Sequence, residues 1–97
     1  MDSAGLPALI GAIRHAHGCE ASYVESVAVR ETFQGKTVWD GEVQVFSLTG
    51  HPVASKCYAW SHSTTGKKRR FYAVLHIPPV DGPLAAVRAA VVADSRS

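Results

Sequence analysis

Apolar and polar residues alternate along most of the stretch from Val27 to Ile77, and glycine-marked turns interrupt the alternation. A period of two is the pattern of strands with one face buried, and short turns join antiparallel neighbours. The pattern therefore predicts an antiparallel meander of four strands in a single domain of residues 1–97. The strands are expected at about Tyr23–Phe33, Thr37–Leu48, Val53–His62 and Arg69–Ile77.

Two stretches with helical features flank the strands. The first, Gly5–His17, has apolar residues at helical spacing, and Gly18 follows as a left-handed stop. The second, about Pro83–Ala93, begins with a proline suited to a first helical turn. The predicted order is α-β-β-β-β-α, an α+β fold. We expect both helices to cover the same face of the sheet.

Odd- and even-numbered strand residues define the two predicted faces. The odd set is mostly small and apolar, which suits a face covered by helices; it includes Val29, Val43, Cys57, Ala73 and Leu75. The even set is mixed and carries four aromatic residues: Phe46, Tyr58, Trp60 and Tyr72.

The four aromatic residues are the predicted partner-binding site. Clustered on an exposed face, they would exceed the few hundred Å² of apolar patch that a monomer usually presents to water. A second copy of the chain is the expected partner, because a two-fold interface buries the same patch on both subunits. One bulge in the second strand would turn Phe46 inward and weaken this interpretation. A homodimeric interaction module of otherwise unknown function is therefore the leading hypothesis.

The densest run of charge lies at the expected tip of the third hairpin: Lys67, Lys68, Arg69 and Arg70. Beside aromatic side chains, such a run is typical of a surface that contacts phosphate and stacks bases. It is also typical of a solvated turn that discourages edge pairing. Asp40 and Glu42 fall on the same predicted face and would repel phosphate. Nucleic-acid binding is therefore the second hypothesis and is not favoured.

Candidate catalytic and metal-binding residues form no convincing set. His15, His17 and Cys19 lie close in sequence, but residues two apart on a helix point about 200° apart. Cys57 is predicted to face the helices, away from the sheet histidines such as His62, so it has no base beside it. The sequence predicts no catalytic residue, no metal site and no cofactor. A small enzyme or metal protein is the third hypothesis.

Composition narrows the class of protein without identifying its function. The hydrophobic fraction of 46% and the charged fraction of 19% are typical of a globular chain. The apolar runs, such as residues 89–93, fall far short of the roughly 20 residues that cross a membrane. No basic residue precedes Arg14, which argues against a secretory signal. The two cysteines suggest reduced thiols and a cytoplasmic location, and the net charge of +2 decides nothing.

Overall fold

The structure, a computed structural model, describes residues 5–63 and 69–95. Its elements are α1 (Gly5–His17), β1 (Glu20–Phe33), β2 (Lys36–Thr49), β3 (Lys56–Ser63), β4 (Arg69–Leu75) and α2 (Pro83–Ser95). The strands lie side by side in the order β1-β2-β3-β4, and each neighbouring pair is antiparallel. The predicted α+β class and the four-stranded meander are confirmed. No helix in the described ranges is long and apolar enough to cross a membrane.

Local sequence explains where several elements begin and end. Gly18 adopts a φ of 66°, and its N–H donates to the carbonyl of Arg14 at 2.8 Å, which ends α1. Gln34 and Gly35 have φ values of 54° and 77°. Two successive positive values match the tight turn whose twist suits a hairpin, and this turn joins β1 to β2. Pro83 starts α2, where its missing N–H is no loss.

Helix α1 packs on one face of the sheet, which we call the α1 face. Leu9 and Ile13 of α1 join a core formed by Phe46 of β2 and by Cys57 and Ala59 of β3. All five are essentially inaccessible to solvent.

Helix α2 packs on the opposite face, the α2 face. Ala86 and Val87 of α2 join a core that contains Val43, Tyr58 and Trp60. Tyr58 and Trp60 alternate with the α1-face residues of β3, and alternation along a strand places successive side chains on opposite sides. The sheet is therefore covered by one helix on each face.

The prediction that both helices cover one face is wrong, and the error lies between β2 and β3. Val45 pairs with Tyr58, and Phe46 pairs with Cys57. Odd-numbered residues of β2 therefore share a face with even-numbered residues of β3. Residue numbers give the alternation within one strand, but the connection at residues 50–55 sets the phase between two strands.

Pairing between β2 and β3 is shorter than either strand. It runs from Gln44–Ala59 to Ser47–Lys56, and both strands continue beyond Gln44 and Ala59. In contrast, β3 pairs with β4 as far as Ser63. The ladder between the two central strands thus stops before the end of the sheet near the β3–β4 hairpin.

Candidate functional site

The four aromatic residues predicted to bind a partner do not form one exposed surface. Phe46 lies on the α1 face and is fully buried there. Tyr58 and Trp60 lie on the α2 face, and each is only 3% exposed because α2 covers them. Tyr72 shares their face and is half-buried. The prediction of an exposed aromatic patch is therefore wrong, because the phase error misplaced Phe46 and α2 occupies the face of the other three.

Near the β3–β4 hairpin the α2 face carries a stack of rings. The Trp60 and Tyr72 centroids are 5.1 Å apart with the rings 11° from parallel, and His62 stacks against Tyr72 at 5.3 Å. Arg70 places its guanidinium carbon 5.2 Å from the Tyr72 centroid. Each of these rings thus already packs against a neighbouring ring or guanidinium group. His62 belongs to the same even-numbered set as Trp60 and Tyr72, but the predicted partner-binding residues did not include it.

The predicted basic run divides between the two faces. Lys67 and Lys68 lie outside the described residues, and Arg69 and Arg70 are both exposed at the start of β4. Arg69 donates from Nη2 and Nε to Ser61 Oγ at 2.9 and 3.3 Å, whereas Arg70 lies over a ring of the α2 face. Successive strand residues point to opposite sides. These two arginines therefore do not form a single basic patch.

Strand β1 is an edge of the sheet and is 14 residues long. Among the described residues, no backbone hydrogen bond reaches its outer side. Edge strands offer unpaired N–H and C=O groups to any strand that approaches. A groove of about 220 Å³ lies beside this edge, lined by residues 27–30 of β1 and by Pro83 and Leu84 of α2. We call these lining residues the β1 edge surface, and Leu84 is 37% exposed on it.

The opposite edge strand, β4, is seven residues long. His17 of α1 donates from Nε2 to the backbone carbonyl of Ala73 at 2.9 Å. The edge strand β4 is thus short and bonded to a helix.

A larger groove, of about 360 Å³, lies on the α1 face where pairing between β2 and β3 stops. Its lining includes Leu9, Glu42, Gln44, Ser61 and Arg69, and we call it the Gln44 groove. Gln44 is 1% exposed. Glu42 and Arg69 are both exposed and add one charge of each sign.

The thiols and histidines are arranged for packing and hydrogen bonding. Cys19 and Cys57 are free and buried in the α1-face core. Desolvation by burial, and to a smaller extent Cys19, raises the pKa of the Cys57 thiol to about 12, so it carries no thiolate near neutral pH. On the other face, a hydrogen bond of 2.6 Å joins Tyr58 Oη and His76 Nδ1. The described part of the chain holds no group of three or more histidine, cysteine or acidic residues placed for a metal ion.

Comparison with protein-family models, with curated proteins and with solved structures gives no match for this chain. The candidate surfaces are therefore weighed by their own geometry. They are the β1 edge surface, the Gln44 groove and the exposed arginines at the β3–β4 hairpin.

Proposed function

We propose that this protein is a small interaction module that forms a homodimer through antiparallel pairing of β1 with β1 of a second copy. The observation that carries the proposal is the β1 edge surface, in which an edge strand without outer backbone partners, among the described residues, lies beside a groove. Strand addition satisfies backbone groups and buries neighbouring side chains together. The predicted homodimer is kept, and its interface moves from the aromatic residues to β1.

A second copy is the occupant that this edge fits best, because the edge is self-complementary. The β1–β2 register shifts between Tyr23 and Glu25 and again between Glu31 and Thr32. The regular segment therefore spans residues 25–31 and has Ala28 at its centre. A two-fold axis through Ala28 pairs this regular segment with itself over its whole length.

The side chains in that register match on both faces. On the α2 face, Val27 is opposite the partner's Val29, and the same apolar pair forms a second time by symmetry. On the α1 face, Ser26 is opposite the partner's Arg30. Favourable cross-strand pairs contribute about 0.2–1 kcal/mol each, and Val29 is only 6% exposed in the monomer, so most of the newly buried surface of this pair comes from Val27. Leu84 borders the apolar pairs and adds exposed apolar surface to each half of the interface.

The ends of the register carry charges that can be balanced. Glu25 is opposite the partner's Glu31. Glu31 is bonded to Arg88, and the Arg88 side chain is 62% exposed. An accessible guanidinium that is bonded to one carboxylate can also contact a second one, so the proposed pairing does not leave two like charges unbalanced.

Ala28 gives the most direct test. It is exposed in the monomer, and it lies opposite Glu42 in the β1–β2 pair, so a lysine at this position is compatible with the monomer. In the dimer, Ala28→Lys puts two ammonium groups opposite each other at the axis, where like charges repel. We expect sedimentation equilibrium to show a dimer for the wild type and at least about tenfold weaker association for the variant.

A charge swap separates pairing from general damage. Ala28→Glu places a carboxylate at the same position, where it also lies opposite Glu42 within the monomer, so a denaturant melt first has to show that this variant is folded. An equimolar mixture of Ala28→Lys and folded Ala28→Glu should then associate again. A wild type that stays monomeric at every accessible concentration would exclude the homodimer. A mixture that stays monomeric would exclude pairing about Ala28.

The proposal also includes a cytoplasmic location, where Cys19 and Cys57 stay reduced.

Nucleic-acid binding is a second candidate function, and one observation favours it. Arg69 and Arg70 are exposed at the β3–β4 hairpin, close in sequence to Lys67 and Lys68. This function requires an affinity for single-stranded oligonucleotides that falls steeply with salt. Serine replacements of Lys67, Lys68 and Arg69 should then abolish binding in an electrophoretic shift assay. The rings beside Arg70 stack on one another, which supports this candidate less than an open stacking surface would.

A further inference from the structure

One histidine side chain stabilises the connection between β2 and β3. His51 Nδ1 accepts hydrogen bonds from the backbone N–H groups of Val53 and Ala54 at 3.1 and 2.9 Å. A backbone N–H only donates, so Nδ1 carries no proton in this arrangement, and the ring is the neutral form with its proton on Nε2. An imidazolium ion carries a proton on both nitrogens and accepts no hydrogen bond. The two bonds and a proton on Nδ1 therefore exclude each other.

The two bonds fix the end of the turn that leads into β3. Ala54 is only 4% exposed, whereas Val53 beside it is 72% exposed, so Ala54 is the residue through which the connection packs against the rest of the protein. The next residue, Ser55, accepts a hydrogen bond from the N–H of Leu48 at 2.9 Å. The hydrogen bonds of His51 thus stabilise the backbone directly beside the first bonds between β2 and β3.

A second histidine contacts this ring from α1. The ring of His17 lies edge-on to the ring of His51, with the centroids 6.5 Å apart, and both side chains are half-buried. His17 donates from Nε2 to the carbonyl of Ala73, so a second proton on its Nδ1 leaves that bond intact. Protonation of both histidines would therefore place two positive charges side by side, where they repel each other.

The other adjoining elements compensate little for a positive charge on His51. Glu20 begins β1, but its carboxylate is bonded to Arg14 at 2.6 Å. Lys56 begins β3 and adds a positive charge, and the residue between α1 and β1, Cys19, is a buried thiol. His76, after β4, bonds with its ring to a tyrosine of the α2 face. These surroundings favour a neutral His51 in the closed connection.

We propose that His51 is an acid-sensitive switch for the β2–β3 connection. Histidine side chains ordinarily take up a proton near pH 6.5. At neutral pH the ring stabilises residues 51–55, and as the pH falls protonation removes both hydrogen bonds while repulsion from His17 adds to the loss. The connection then opens and exposes Ala54, while the β1–β2 ladder stays intact. The switch does not depend on the proposed dimer, whose pairing segment is residues 25–31.

Hydrogen exchange measures the switch directly. With a pKa near 6.5 for an exposed histidine, a proton that binds only the open connection favours opening by about tenfold at pH 5.5. We expect the protection factors of the Val53 and Ala54 amides, corrected for the intrinsic effect of pH on exchange, to fall about tenfold between pH 7.5 and pH 5.5. Amides of the β1–β2 ladder are the internal control. Unchanged protection of Val53 and Ala54, or an equal loss throughout the β1–β2 ladder, would overturn the proposal.

Two variants at the same position separate the acceptor from the titration. His51→Asn places an amide oxygen near the position of Nδ1, so it keeps an acceptor for the same N–H groups but does not titrate. Its Val53 and Ala54 amides should be protected at both pH values. His51→Ala should show at pH 7.5 the low protection that the wild type shows only in acid. An acid response in His51→Asn as large as that of the wild type, or full protection in His51→Ala, would contradict the switch.

A third variant distinguishes the two histidines. His17→Ala leaves the acceptor on His51 in place, so most of the acid response of the Val53 and Ala54 amides should remain. Protection of the β1–β2 ladder shows in the same spectra that the variant is folded. Loss of the whole response in folded His17→Ala would assign the switch to His17 and overturn the proposal for His51.

Discussion

The two edge strands of the sheet differ in length and in what contacts them. β1 has 14 residues and β4 has seven. β4 receives a hydrogen bond from His17 at the carbonyl of Ala73, whereas within the described ranges no backbone bond reaches the outer side of β1. Proteins protect free edges by shortening them or covering them. β4 follows that rule and β1 does not, and this difference is why the proposed dimer pairs through β1.

The irregularities of β1 sharpen this contrast. Register shifts at both ends limit its regular part to residues 25–31. Bulges normally discourage pairing at an edge. Here they lie outside the segment that carries Val27 and Val29, so residues 25–31, which the proposed dimer would pair, are free of irregularity.

The largest expected effect comes from placing the same charge on each edge in turn. Ala28→Lys on β1 should weaken association by about 2 kcal/mol, because two like charges then face each other in the centre of the interface. Phe71→Lys on β4 is the matched control, since Phe71 is 42% exposed and far from the proposed axis in strand order. Sedimentation equilibrium of both variants measures the difference. Equal weakening by the two would show that the edges are equivalent, contrary to the comparison.

A smaller effect is expected from trimming the groove beside β1. Leu84→Ala removes exposed apolar surface from both halves of the proposed dimer and should weaken association by about 1.5 kcal/mol, at roughly 25 cal/mol per Å² of lost burial. Val92→Ala is the control, because Val92 is also exposed on α2 but does not line the groove. If Val92→Ala weakens the dimer as much as Leu84→Ala, the interface does not include the β1 edge surface.

The sequence predicts the helices and strands, including both edge strands, but it does not predict which strand residues share a face of the sheet. The bounds of α1 were predicted to the residue, and each strand was predicted within a few residues. Gly18 and Gly35 gave reliable signals because their positive φ values favour glycine. Local patterns of this kind depend on interactions a few residues apart, and the sequence displays them directly.

The phase between β2 and β3 could not be predicted because a side chain in their connection helps to determine it. His51 Nδ1 accepts hydrogen bonds from the backbone N–H groups of Val53 and Ala54 at 3.1 and 2.9 Å. The N–H of Leu48 then donates to the carbonyl of Ser55. The turn residues predict a connection at this point but not its geometry. A shift of one residue in the register between β2 and β3 moves the side chains of one strand to the opposite face of the sheet.

The candidate sites were also hidden by that error. Gln44 was predicted to lie on the mixed, solvent-facing side, although it is flanked by Val43 and Val45 in an apolar run. That run was the available signal of a buried strand. The β1 edge surface was missed because alternation describes the faces of a strand and says nothing of its edge.

Alkaline pH tests the burial of the Cys57 thiol in the α1-face core. Burial raises the pKa of the Cys57 thiol from 9.0 to about 12, so the folded state favours the neutral thiol. The stability contributed by Cys57 is fully present below pH 9 and is lost progressively as the pH rises towards 12. At pH 10 the loss should be about 1.4 kcal/mol. Cys57→Ala should lack this part of the pH dependence in denaturant melts at pH 7 and pH 10, and an identical dependence would contradict the raised pKa.

The smallest expected effect is at β4, where His17→Ala removes the hydrogen bond to the carbonyl of Ala73. A single neutral hydrogen bond contributes about 1 kcal/mol, so we expect a loss of that size in the free energy of unfolding. Hydrogen exchange of the β4 amides should become faster, because the strand then lacks its bond to α1. The oligomeric state should not change, since β4 is short even without this bond. His15→Ala, on the same helix and exposed, is the control.

If His17→Ala produced larger assemblies, the bond from α1 would be the feature that prevents pairing at β4. The two edges would then differ by one side chain rather than by their length and regularity.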